Sequence, residues 1–121
     1  MASKSTLSTY SIEAGGDLSS DIYKFVAIAA DGQVDLAGAG VDAHGVLQGN
    51  PDAAGKAATV AFAGISKVIL GATVAAGAKV MANASGLGIT ATATNHVLGV
   101  CVVGGDVNEI GEVLLGTSHV L

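Results

Sequence analysis

The stretch Thr59-Val60-Ala61-Phe62-Ala63-Gly64-Ile65-Ser66-Lys67-Val68-Ile69-Leu70 decides how this chain folds. Its β-branched and aromatic residues suit a pleated, half-buried backbone, which predicts two strands, Thr59 to Phe62 and Ser66 to Leu70. Gly64 between them marks a bulge or bend. A helix over Ala53 to Ala63 is the rival reading, because alanine is a good helix former. Gly55, Thr59, Val60 and Gly64 weigh against it.

The texture on both sides of this stretch is similar. From Ile22 onward, short β-branched runs are punctuated by Gly, Asn and Asp every 8 to 12 residues or so, the pattern of a small β-barrel or β-sandwich. A first strand is expected at Ile22 to Ala29. Asp31-Gly32 supplies a tight hairpin and Gln33 to Leu36 returns. Ala43 to Gln48 forms a further strand, stopped at Gly49-Asn50-Pro51-Asp52. Lys79 to Ala82 pairs with Ile89 to Ala93 across Asn83-Ala84-Ser85-Gly86. Val97 to Val103 reads as a strand buried on both faces, and Glu109 to Leu115 follows the turn at Gly104-Gly105-Asp106. The fold class is therefore all-β, one small domain over residues 22–121. Residues 1–21 differ: they hold six of the nine serines and no apolar stripe able to join the β core, so they read as an N-terminal arm.

Composition narrows the function. Of 121 residues, 22 are Ala and 18 Gly, and only 12% are charged against about 25% in an ordinary soluble domain. So few charges leave apolar surface that copies of the chain or a partner must cover. Ten acidic residues face five lysines with no arginine, and Lys4, Lys24, Lys56, Lys67 and Lys79 stand singly, which excludes nucleic acid as an expected partner. No signal-peptide core follows the N-terminus, and Val80 to Gly105, the longest uncharged stretch, is too polar for a membrane helix. A membrane partner is not expected. The single Cys101 fits synthesis in a reducing compartment, and its strand context makes it a buried small hydrophobe rather than a nucleophile.

Motif matches are weak. Gly38-Ala39-Gly40-Val41-Asp42-Ala43 and Gly86-Leu87-Gly88-Ile89-Thr90-Ala91 both fit a dinucleotide fingerprint ending in Ala, but neither opens a helix. Gly49 to Lys56 spaces its glycines one residue too far apart for a phosphate loop, and Ala57 replaces the magnesium-binding hydroxyl. His44, His96 and His119 lie at no metal-ligand spacing. No cofactor, metal or catalytic residue is assigned. A carrier module would need its modified lysine at a hairpin tip, for which Lys79-Val80-Met81 is the nearest approach. A trimeric enzyme with a site built at its interface is the other alternative.

The order Gly45-Val46-Leu47-Gln48-Gly49-Asn50-Pro51-Asp52-Ala53-Ala54-Gly55-Lys56, then Thr59 to Val68, Gly71-Ala72-Thr73-Val74-Ala75-Ala76-Gly77-Ala78-Lys79-Val80 and Leu98-Gly99-Val100-Cys101, resembles the head decoration, or capsid cement, proteins of tailed bacteriophages. The likeness runs over residues 22 to 115. It implies a virion protein made in the host cytoplasm, a homotrimer on the outer capsid surface at threefold or quasi-threefold points. Its partner there would be the major capsid protein, whose neighbouring subunits it bridges. It implies no enzyme activity. On this reading Leu7, Tyr10, Ile12 and Leu18 of the arm are the candidate capsid-binding residues, with Tyr10 the strongest anchor. Removing residues 2 to 21 is then expected to leave the fold stable.

Overall fold

The computed structural model describes residues 7–40, 43–92 and 95–120, the last five as backbone alone. Among these residues the chain forms nine strands: β1 (Ser8–Glu13), β2 (Phe25–Ile28), β3 (Val34–Leu36), β4 (Gly45–Leu47), β5 (Ala57–Ile69), β6 (Lys79–Ala82), β7 (Gly88–Thr90), β8 (His96–Val103) and β9 (Ile110–Val120). Hydrogen-bonded neighbours follow the order β3-β2-β4-β5-β9-β8-β6-β7, with β1 attached to β5. Every strand pairing is antiparallel. The sheet curls into a half-barrel, so the all-β single domain expected from the sequence is the fold observed.

The two strands expected at 59–62 and 66–70 are one strand of 13 residues. Its first half pairs with β1 and β4, and from Gly64 onward it pairs with β9. Before Gly64 the odd-numbered Ala61 enters the larger core; after it the even-numbered Val68 does. A strand alternates its side chains strictly, so such a switch needs one residue out of register. That residue is Phe62: Thr9 and Ser8, adjacent on β1, pair with Ala61 and Ala63, and Gly64 just beyond it takes φ +98°. The Gly64 conformation is costly for any residue with a Cβ, which explains why the bend expected here falls on a glycine.

Upstream of Gly64 the sheet is buried on both faces. Phe25, Val46 and Ala61 point into the larger core, which continues through Val68, Cys101 and Val113. Their sequence neighbours Val26, Leu47 and Val60 point into a second, smaller core. That second core is covered by Ala14 and Leu18, with Tyr10 and Ile12 packed against it. The expectation that residues 1–21 hold no stripe able to join the core is thus corrected. Tyr10 pairs with Val60 and Ile12 with Ala58, and the amides of Ala14, Gly15 and Leu18 each donate at 2.8 Å to the carbonyls of Lys56, Val34 and Pro51. From Leu7 onward the segment is continuous with the domain expected over 22–121. Residues 1–6 lie outside the described ones.

Smaller differences have local causes. The strand expected from Ile22 starts at Phe25, because Tyr23 takes φ +66° and donates its amide to the Leu47 carbonyl. In the following hairpin only Gly32 has positive φ, +81°: its amide bonds to Ala29 three residues back, and Ala29 in turn bonds to Gln33, giving a three-residue loop. The β6–β7 hairpin forms where expected, and Asn83 Oδ1 accepts from the amides of Ser85 and Leu87 to close it. β8 is not buried throughout as expected. Val97, Leu98, Gly99 and Cys101 are buried, Val100 between them is half-buried, and a bulge then turns both Val102 and Val103 outward. Cys101 is 2% exposed, as its apolar context required, and burial raises the pKa of its thiol.

Three outcomes test this architecture. Gly64→Val should lower stability by about 1–3 kcal/mol, the usual cost of a strained backbone conformation. Urea unfolding measures it, and an unchanged midpoint would show that the register switch does not depend on glycine. Leu18→Ala should cost about 2–5 kcal/mol as a buried truncation. Removing residues 2–21 uncovers Val26, Leu47 and Val60, at about 1.5–3 kcal/mol each, comparable with the ~5–15 kcal/mol stability of a whole domain. The truncated chain should therefore fail to fold by circular dichroism, whereas retention of a cooperative melt would return these residues to the status of an arm.

Candidate interaction surface

Downstream of Gly64 the sheet has one core face and one face turned to solvent. On β5 Ser66 and Val68 point inward, and on β9 Gly111, Val113 and Leu115 do the same. The buried Ser66 hydroxyl is satisfied, accepting from Gln48 Nε2 at 2.9 Å and donating to the Lys67 carbonyl at 3.0 Å. The alternate residues form rows across the outer face. Ile65 lies opposite Leu114, which lies opposite Val100; Lys67 lies opposite Glu112; Ile69 lies opposite Ile110. Val103 is also in register with Glu112, and the bulge adds Val102 beside it. Ile110 is 54% exposed, Val103 47%, Val102 43% and Leu114 41%. The first row ends in Lys79 of β6, opposite Val100.

This face is apolar with one opposed charge pair at its centre. The two charges do not bond to each other. Lys67 Nζ lies instead over the Tyr23 ring, 5.9 Å from its centroid, a cation–π distance. Among the described residues the ion pairs are Lys24–Asp21 at 2.9 Å and Lys56–Asp52 at 2.7 Å, so Glu112 has no cation. Sequence reasoning recognised these segments as strands but placed the contact residues elsewhere. The available signal was that 65–69 and 110–114 each carry large aliphatic residues at both parities, more than one core face can absorb.

The four residues expected to bind a capsid do not form one exposed row. Leu18 is 5% exposed and belongs to the smaller core. Ile12 and Tyr10 are half-buried against that core, while Leu7 packs against the larger one. The Tyr10 hydroxyl donates to the His44 carbonyl at 3.1 Å, its ring lies 5.7 Å from that of Phe62, and burial raises its pKa. Tyr10 is thus committed to the fold on both its polar and its apolar side.

The chemical motifs take ordinary structural places. Gly86 to Ala91 is a turn running into β7, with no helix to bind a phosphate; of Gly38 to Ala43, residues 41 and 42 lie outside the described ones. The loop from Gly49 to Lys56 is closed by the exposed Lys56–Asp52 pair, which lowers the carboxyl pKa and raises the ammonium pKa. Lys79 begins β6 and is not at a hairpin tip. His44 Nδ1 accepts from the Ile28 amide at 2.9 Å. His96 and His119 sit on adjacent strands, but the side chain of His119 lies outside the described ones. Among the described residues no three His, Cys, Asp or Glu side chains surround one point at metal-binding distance. The cleft between Phe25, His44, Phe62, Leu98 and Leu115 has about 80 Å3. Small-molecule sites run to roughly 300–1,000 Å3, so this cleft is a packing defect beside Phe62 rather than a substrate pocket.

No family model matches the chain, and no curated protein does. Among solved structures, the chain is similar to the N base of head fiber gp8.5 in bacteriophage phi29. That likeness has a TM-score of 0.73 at 15% sequence identity and covers 96% of this chain and 99% of the other. At this identity the two share a fold: the curled β domain described above is the one found in a protein of a phage head.

Proposed function

We propose that this chain is a structural protein of a phage virion, which binds the outer surface of the head as a trimer and stabilises the shell by bridging neighbouring coat subunits. The observation that carries this reading is the likeness to a phage head-fiber base, which extends over nearly the whole of both chains. The head decoration proteins that the sequence resembles belong to the same setting. The low charge and the apolar outer face of β5, β9 and β8 support a subunit whose surface is partly covered in its working state.

The proposed role is one of binding energy alone and needs no catalytic group. A protein that binds the assembled lattice but not separated coat subunits raises the free energy of disassembly by mass action, about 2.7 kcal/mol per site at a hundredfold excess over Kd. A trimer touching three subunits gains further from effective concentration, so each contact can be weak.

Co-sedimentation with intact heads of the phage that encodes the chain tests the reading. Saturable binding is expected, together with a higher temperature of head disruption in its presence. Protein that remains in the supernatant beside intact, undecorated heads would contradict it.

A further inference from the structure

We propose that the outer face of β5, β9 and β8 is where copies of this chain meet, with the Glu112 carboxylate of one copy receiving the Lys67 ammonium of the next. This deepens the virion role by naming a surface at which copies pair. A face that meets its own copy makes a two-fold contact, so it joins copies of different trimers; the pairing rests on the self-association within that reading and is neither the trimer's own interface nor the capsid contact.

Ile65, Leu114 and Val100 make one apolar row over three adjacent strands, and Ile69 with Ile110 makes a second. Between the two rows stand one cation and one anion on directly opposed positions. Opposite charges at that spacing would normally pair within the sheet. Here Lys67 leans toward Tyr23, and Glu112 is left without a cation among the described residues, ringed by Ile110, Leu114, Val102 and Val103. A carboxylate in such surroundings is tolerated by a partner only if that partner brings a positive group to it.

A second copy brings one. The same face offers a lysine for the neighbour's glutamate and a glutamate for the neighbour's lysine, so the surface complements itself without any further residue. Lys79 at the end of the Ile65 row lies at the rim, where it adds to the attraction between copies that are acidic overall. Size sets the strength. Three strands about 4.8 Å apart and six residues of about 3.4 Å cover roughly 14 by 20 Å, near 300 Å2. A stable interface buries about 800 Å2 per partner, so contact through this face alone is weak and concentration-dependent.

Sedimentation equilibrium of the full chain, taken up to roughly 1 mM, is the test. The wild type should associate, and Leu114→Asp, Lys67→Glu and Glu112→Lys should each weaken association by about tenfold or more. All three side chains lie on the outer face, and circular dichroism should show unchanged folds. An equimolar mixture of Lys67→Glu and Glu112→Lys should recover association that neither shows alone, because only pairing between copies can do this. Wild type that stays monomeric throughout, or Leu114→Asp that associates as well as wild type, overturns the proposal. If the variants keep self-association but lose binding to phage heads, the face belongs to a coat-protein contact: the proposal falls and the virion reading stands. If association depends on these residues but no form binds heads, the proposal stands and the virion reading falls.

Discussion

β5 pairs with β1 and β4 in its first half and with β9 in its second, and its side chains change sides between the two halves, at the Phe62 bulge just before Gly64. Upstream, its neighbours Val60 and Ala61 feed two separate cores; downstream, Ser66 and Val68 face the larger core while Ile65 and Lys67 face solvent. Without the switch, Ile65 and Lys67 would point into the core and Val68 out of it. One residue of register therefore determines both the half-barrel curl and the composition of the outer face.

The second core explains why the N-terminal segment cannot be an appendage. β2, β4 and the first half of β5 are apolar at consecutive positions, so both of their faces need cover. The larger core covers one. The other is closed by Ala14 and Leu18, reached by a segment that enters as β1 and is tied down by backbone bonds to Lys56, Val34 and Pro51. The serines of this segment point away or lie in turns, which gives it a polar composition without freeing it from the fold. Ser8, Ser11, Ser19 and Ser20 are all exposed.

How much was legible in the sequence depended on the range of the interaction. Local turn chemistry was readable: Gly32 and Asn83 close hairpins close to the expected positions. So was the burial of Cys101, because Val100 and Val102 on either side left a small residue no reason to be exposed elsewhere. Pairing across 50 residues was not readable. Nothing in Tyr10-Ser11-Ile12 announces that its partners are Val60, Thr59 and Ala58, and the alternation of Tyr10 and Ile12 is short and set among polar residues. The outer face was missed for a related reason. Ile110, Glu112 and Leu114 read as one strand, but their alignment with Ile69, Lys67 and Ile65 exists only once β5 and β9 are paired. The same long-range pairings produce the resemblance in fold to a phage head-fiber base at 15% identity, since they constrain parity and burial and leave side-chain identity loose.

Native-state hydrogen exchange tests the central claim most directly, namely that residues from β1 to Leu18 are part of one cooperative structure built on β5. The amides of Ala14, Gly15 and Leu18 should exchange only with the global opening that also releases Val60 and Val113, giving the same opening free energy for all five. Exchange of the first three near the rate of an unstructured peptide, while Val60 and Val113 remain protected, would contradict the account.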